Sequence, residues 1–336
     1  MKPGYRVLDA ASASELHDAQ GDFALDVLMS LSEQPKRLSS MYFYDDRGSE
    51  LFRQITELEE YYPTNCESEI LERYAAEIVG CVHGASFNLV DLGAGDGKKT
   101  LLLLQHLAEL KADVRYVPID ISEGAMVGLV DMVRAEIPEM EVAGLVTEYA
   151  NGVRWLGVEH ADRVNLVLFL GSNIGNFDRA HARAFLRRLW NALRPGDYAL
   201  IGFDLKKDIE ILLHAYNDSQ GVTAEFNLNL LARINRELGG NFDLSKWRHF
   251  GTYDVFTGAM MSYLVSLSSQ RVEVAALSLS FEFDAWEPIL TEYSYKYLRS
   301  DIEHLAADTG FVIEASYSDS RDYFVDSVWR VDKSAG

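Results

Sequence analysis

The chain of 336 residues is 48% hydrophobic and carries 52 acidic against 31 basic residues, a formal net charge of −21. That apolar content can fill a large core and excludes disorder as the dominant state, while the negative field repels phosphate backbones and excludes nucleic acid as a natural partner; a small zwitterionic or cationic substrate is compatible with it. No run approaches the roughly 18 apolar residues of a membrane span, the first residues lack a signal peptide's apolar stretch, and Cys66 and Cys81 have neither the number for a disulfide framework nor a zinc-like spacing, so a cytoplasmic protein with inert thiols is expected.

In chain order, a helix is expected over 13–31, where Leu16, Phe23, Leu25, Val27 and Leu28 recur irregularly. Segments 39–44 and 48–58 follow, then an aromatic turn, Tyr61-Tyr62-Pro63-Thr64. Residues 67–79 read as a helix because Ile70, Leu71, Tyr74, Ala75 and Ile78 recur at helical spacing. Strands and helices then alternate: strand 87–92, helix 99–110, strand 114–119, helix 123–137, strands 140–147 and 164–170, helix 179–193, strand 197–204. This alternation predicts an α/β fold, a Rossmann-like doubly wound sheet with ligands at the carboxyl ends of its strands. Beyond it, 209–238 reads as mainly helical and 255–283 alternates like antiparallel strands. Residues 291–298 lead into a helix at 300–309, and 311–317 and 323–331 read as closing strands. The expected organisation is an N-terminal region (1–65) contributing to a substrate lobe, a cofactor-binding core (66–205), an inserted α+β substrate-binding lobe (206–286) and a return to the core (287–336).

The first strand of the alternating series runs into Val90-Asp91-Leu92-Gly93-Ala94-Gly95-Asp96-Gly97. Glycines at alternate positions let the backbone turn sharply and approach a ligand where a β-carbon would collide. Asp120, at the end of the next strand, is placed to accept ribose hydroxyls. Gly93, Gly95 and Asp120 together describe a nucleoside site, read as the S-adenosylmethionine loop of a class I methyltransferase. A dinucleotide loop would need glycine where Lys98 stands. An NAD-dependent oxidoreductase and a noncatalytic adenosine-binding regulator are the readings from other classes. Glu148-Tyr149 is a candidate for the adenine amino group, although an exposed glutamate after a strand needs no special cause. Lys99 is a candidate for the cofactor's methionine carboxylate or a solvated lysine opening a helix. Methyl transfer from an activated sulfonium calls for alignment and desolvation and for no metal.

The fourth strand ends in Leu170-Gly171-Ser172-Asn173-Ile174-Gly175-Asn176-Phe177. Its asparagine amides can accept from an ammonium and donate to a carboxylate, which suits an amino-acid substrate; a plain polar turn is the alternative.

Other strings are more specific. Phe43-Tyr44-Asp45-Asp46-Arg47-Gly48-Ser49, with Leu51-Phe52 and Ile55-Thr56, precedes Glu60-Tyr61-Tyr62-Pro63-Thr64. Further on stand Tyr116-Val117-Pro118-Ile119-Asp120-Ile121-Ser122, Ala215-Tyr216, Gly221-Val222-Thr223-Ala224 with Phe226-Asn227, Asn235-Arg236-Glu237-Leu238, and Leu290-Thr291-Glu292 with Ser294 and Lys296. Over roughly 39–298 this set resembles the histidine-specific Nα-methyltransferases of ergothioneine biosynthesis. The resemblance implies that Asn176 and Tyr216 hold the substrate's α-carboxylate, that Asn176 also steers the amine near Gly171, and that Tyr44, Glu292 and Ser294 face the imidazole. It implies cofactor contacts from Tyr61, Gly93, Lys99, Asp120 and the Glu148-Tyr149 pair, catalytic parts for Asn176 and Tyr44, and trimethylated histidine (hercynine) as product. A cation-facing ring for that quaternary ammonium could come from Tyr61-Tyr62. Two departures stand out: the family usually has Asp at the position of Glu148, and Ala259-Met260-Met261-Ser262 replaces an Arg-Ile-Glu-Met-like run near the substrate ring. The second keeps a related substrate, such as a tryptophan derivative, open as the alternative.

Overall fold

The computed structural model describes residues 4–7, 19–82, 84–159 and 163–333. The expected start of the first helix, 13–18, lies outside the described residues. In chain order, β1 (Tyr5–Val7) is followed by α1 (Ala19–Ser32), α2 (Asp46–Thr56) and α3 (Tyr62–Gly80). The alternating series then runs β2 (Phe87–Leu92), α4 (Lys98–Glu109), β3 (Val114–Asp120), α5 (Glu123–Glu136), β4 (Glu141–Val142), β5 (Gly144–Val146), α6 (Tyr149–Glu159), β6 (Val164–Phe169), α7 (Arg179–Ala192) and β7 (Tyr198–Asp204). Helices α8 (Ile209–Tyr216) and α9 (Val222–Leu238) precede strands β8 (Trp247–Asp254), β9 (Ala259–Ser266), β10 (Gln270–Val274), β11 (Leu279–Phe283) and β12 (Pro288–Tyr295). The chain continues with α10 (Arg299–Thr309), β13 (Phe311–Ser318) and β14 (Phe324–Val331).

The chain divides into two compact units, each assembled from separate segments. One combines Pro63–Lys206 with the segment from Tyr295 onward and takes in β1; the other combines Lys207–Ser294 with the stretch that ends at Tyr62. The second unit thus extends through Ser294, past the boundary expected at 286, because β12 pairs with β9. At the other end, β1 joins the first unit, pairing in parallel with β5.

The first unit is built on a sheet of order β1-β5-β3-β2-β6-β7-β14-β13, with β4 also on β3. Strands from β5 to β7 are parallel, whereas β14 runs antiparallel to both β7 and β13. β2 and β7 are buried along their whole length, as parallel strands covered on both faces must be. Successive side chains point to opposite faces, so Leu89, Tyr116, Leu166 and Leu168 join one apolar layer with α3, α4 and α5. Val90, Val117, Val167 and Phe169 join the other with α6, α7 and α10. Ser122 and Asp178 cap α5 and α7 by accepting from Ala125 N and His181 N. The strand order reverses between β3 and β6 on either side of β2, which opens a crevice at their carboxyl ends.

In the second unit Phe23, Val27, Leu51, Ile55, Leu230, Ile234, Leu264 and Ile289 pack α1, α2 and α9 with strands of a sheet ordered β12-β9-β8 and a β10-β11 hairpin. The Asp218 carboxylate accepts from Val222 N and Thr223 N at 2.9 and 2.8 Å and so starts α9. This is the expected α+β lobe, with β8 in addition and with 209–238 broken into two helices.

Candidate active site

In the first unit the turn after β2 adopts left-handed backbone at Gly93 (φ 76°) and Gly95 (φ 56°). A β-carbon on Gly93 would lie 2.6 Å from Tyr149 Oη and 3.1 Å from Asn173 Nδ2, whereas one on Gly95 would meet nothing within 4 Å. Gly93 is therefore fixed by its neighbours, and Gly95 leaves an open side for a ligand. The amide of Gly95 donates to Asp120 Oδ2 and that of Ser122 to Asp120 Oδ1, both at 2.9 Å. Burial pushes the Asp120 carboxyl up, and the Ser122 and Gly95 amides pull it back only in part. Behind the loop, buried Asp91 accepts from Thr100 Oγ1 at 2.5 Å and Tyr116 Oη at 3.0 Å. Its carboxyl is pushed up to about 6, chiefly by burial.

Tyr149 opens α6 and is half-buried, its ring edge-on to Phe169 with centroids 5.4 Å apart. Glu148, just before it, is exposed. Beyond β6, Gly171 N donates to Glu67 Oε1 and Oε2 at 2.8 and 2.9 Å. Lys99, in the first turn of α4, is ion-paired with the same carboxylate. Ser172 Oγ accepts from Asp204 N at 3.1 Å, and a single 3-10 turn carries Asn173 to Asn176, both half-buried. A β-carbon on Gly175 would lie 2.8 Å from the Tyr295 carbonyl, so this turn is pinned against Tyr295, the last residue of β12. Glu67, accepting from Gly171 and ion-paired with Lys99, ties the Gly171 turn to α4, and Asn173 Nδ2 occupies the side of Gly93 that a β-carbon would need.

In the second unit Tyr216 Oη donates to Ser294 Oγ at 2.7 Å. Its carbonyl accepts from His249 Nε2 at 2.8 Å, and burial pushes that imidazole down, keeping it a neutral donor. Glu292 and Ser294 are two apart on β12 and share a face. Ser262 Oγ on the neighbouring β9 donates to Glu292 Oε2 at 3.4 Å. The departure noted at 259–262 therefore touches the carboxylate assigned to the substrate ring. Thr291 Oγ1 lies 2.7 Å from Asn227 Oδ1 on α9. From the same helix Phe226 meets the edge of Tyr44 at 5.8 Å between centroids. Phe52 packs edge-on against both Tyr44 and Tyr61, at 5.6 and 6.3 Å. α9 thus ties the two tyrosines to the β12 cluster.

Glu67 is the functional residue to which the sequence assigned no role. Glu67 could have been found: it precedes Ile70, Leu71 and Tyr74 by three, four and seven residues, which puts a carboxylate on the apolar face of α3.

A doubly wound sheet whose first crossover carries this glycine loop, with an acidic residue at the end of the next strand bonded to it, defines an S-adenosylmethionine-dependent methyltransferase of the Rossmann-like class. More narrowly, the chain belongs to the histidine-specific, S-adenosylmethionine-dependent methyltransferases, whose family profile matches residues 23–331. It is 40% identical over 286 residues to a histidine N-alpha-methyltransferase of Mycolicibacterium smegmatis, covering 85% of this chain and 87% of that one. The protein of the same description from Mycobacterium tuberculosis is 38% identical over 292 residues, with 85% and 88% covered. Ergothioneine biosynthesis protein 1 of Neurospora crassa is 31% identical over 296 residues, which span 86% of this chain and 32% of that protein. Among the described residues no helix is long and apolar enough to cross a membrane.

Proposed function

We propose that the protein transfers methyl groups from S-adenosylmethionine to the α-amino group of L-histidine, ending at the trimethylated betaine, hercynine. The observation that carries this reading is the Tyr216, Ser294 and Glu292 cluster, a phenol, a hydroxyl and a carboxylate held close to one another on α8 and β12. An imidazole presents one N–H and one acceptor nitrogen when neutral, which the Glu292 carboxylate and the Ser294 and Tyr44 hydroxyls can satisfy. A carboxylate favours the ring form with more protons.

When bound, the sulfonium supplies an activated methyl group. The open side of Gly95 and the Asp120 carboxylate beside it fit the nucleoside part of that cofactor. In the first unit Asp120 is assigned to the ribose hydroxyls, Glu148 and Tyr149 to the adenine, and Lys99 to the methionine carboxylate. Asn176 is assigned to the substrate's carboxylate and amine, with carbonyls near Gly171 accepting from the amine. In the second unit Tyr216 is assigned to the α-carboxylate, Tyr44, Glu292 and Ser294 to the imidazole, and Tyr61 to the cofactor side.

The amine attacks only as the free base, so the binding groups around it must accept N–H bonds while leaving one lone pair aimed along the bond to be broken. Repeated transfer ends in a quaternary ammonium, for which the half-buried Tyr61 ring is a suitable neighbour, whereas Tyr62 is buried with Lys207 over its ring. The same reading places the protein in the cytoplasm, where Cys66 and Cys81 stay as free thiols, both pushed up to about 12 by burial.

The test is incubation with S-adenosylmethionine and each of the twenty amino acids, read by mass spectrometry. Mono-, di- and trimethylated histidine with matching S-adenosylhomocysteine is expected. Turnover of tryptophan without histidine would overturn the substrate, and binding without any turnover would overturn the activity.

A further inference from the structure

Two acids are buried against one lysine in the first unit. Glu67 and Asp326 are both fully buried. Glu67 accepts from the Gly171 amide through both oxygens and is ion-paired with Lys99. Space for its carboxylate exists because position 202 has no side chain: a β-carbon on Gly202 would lie 2.3 Å from Glu67 Oε1. Asp326 is the register partner of Gly202 across β14 and β7. Among the described residues no hydrogen-bond donor faces either oxygen of Asp326, and the group within its reach is the Glu67 carboxyl.

Two ionised carboxylates cannot share a dry site with a single ammonium without leaving one charge uncompensated. Burial, then the Glu67 charge, push the Asp326 carboxyl well up, so it keeps its proton and donates to Glu67. The cluster is then neutral: one carboxylate, one ammonium, one carboxylic acid. Burial works against the Lys99 charge, but the Glu67 carboxylate outweighs it and holds the ammonium above its ordinary pKa. The ionisable groups that face Lys99 are Glu67 from α3, Asp326 from β14 and Asp91 from β2.

We propose that Glu67 is a positioning residue for methyl transfer, its one carboxylate fixing both the Lys99 ammonium on the cofactor side and the Gly171 amide at the substrate turn, with protonated Asp326 as its neutral support. This rests on the reading of Lys99 as the partner of the cofactor's carboxylate. A lysine paired in advance is charged and aimed before the ligand arrives, and it still has two N–H donors to offer. Because the same carboxylate holds the Gly171 turn, a shift of the lysine is also a shift of the turn.

The experiment measures S-adenosylhomocysteine affinity by calorimetry, and kcat and KM for histidine, across about pH 7 to about pH 10, where a lysine deprived of its counter-charge would titrate. Glu67→Gln is expected to weaken S-adenosylhomocysteine about 10- to 100-fold, with a loss that deepens as pH rises, and to lower kcat at saturating ligands. Asp326→Ala is expected to lower kcat, and Asp326→Asn, which can still donate to Glu67, to restore most of it. Lys99→Met is the control: if it weakens S-adenosylhomocysteine while Glu67→Gln leaves both affinity and pH profile unchanged, the positioning role alone is overturned. If Lys99→Met leaves affinity unchanged, the reading of Lys99 fails and the proposal with it. Should Glu67→Gln not fold, Glu67→Asp keeps the charge but shortens the reach, and wild-type kcat in that variant would equally overturn the proposal.

Discussion

Glu292 presents its carboxylate from the middle of β12, where the Ser262 hydroxyl donates to it at 3.4 Å, a long contact for a charged acceptor. Glu292→Ala is expected to weaken histidine about 10- to 100-fold while leaving S-adenosylhomocysteine affinity essentially unchanged, and titration calorimetry with each ligand separates the two; equal losses would count against the assignment. Asp91 makes a prediction in pH. Its folded carboxyl is pushed from the ordinary 3.8 up to about 6, so the folded state binds this proton more tightly than the unfolded chain does. The stability it contributes is complete below about pH 4 and is lost as pH rises through about 6. Asp91→Asn removes that dependence, so the variant should gain on the wild type between those pH values by on the order of 3 kcal/mol, measured by urea unfolding at each pH. The residues legible in the sequence were those whose chemistry is local. Gly93 and Gly95 announce a backbone conformation, and Asp120 follows from its place at the end of β3. The place of Glu67 on the apolar face of α3 was legible but its role was not, because its partners Lys99, Gly171 and Asp326 come from three other parts of the chain, and only the fold brings them together.

At the scale of elements, α9 is the support of the second unit's site, since Phe226 and Asn227 are adjacent on it and reach Tyr44 and Thr291. Its first turn depends on Asp218, which satisfies two amides that the helix cannot. Asp218→Ala is expected to cost about 1–2 kcal/mol of stability, seen as a lowered midpoint in thermal unfolding, and to raise KM for histidine more than KM for the cofactor. The same scale explains what the sequence hid. α6 carries Gly152, which weakens a helical pattern, yet a β-carbon there would lie 2.9 Å from Ile119 Cγ2, so the glycine lets the helix settle on β3. β8 lacks clean alternation, with Trp247 buried and most of its remaining residues only partly so, and its pairing with β9 rests on backbone bonds that leave no periodic trace. The single strand expected over 140–147 is two short ones, both paired with β3. The continuous apolar strands β2, β6 and β7 were legible because burial on both faces demands such runs.

For the whole molecule, the alternation of strands and helices over 87–204 identified the doubly wound sheet, but nothing local in 311–331 announces where those last strands insert. β14 pairs with β7 from Phe324↔Asp204 to Arg330↔Tyr198, and β13 takes the edge beyond it. A chain ending before α10 would leave the edge of β7 unpaired, with Leu200, Ile201 and Phe203 short of their cover. Such a truncation is expected to be insoluble or rapidly cleaved by protease, while the full chain resists, and a soluble, protease-resistant truncated protein would contradict this.

The interval between β7 and β14 also has a meaning in time. Asp204 and its partner Phe324 are about 120 residues apart in the chain. At roughly 5–20 residues per second, a ribosome needs on the order of ten seconds to deliver the second after the first. During that interval the growing polypeptide carries an open sheet edge, so slowing synthesis or withholding chaperones should depress the yield of this protein more than that of one whose sheet closes in chain order.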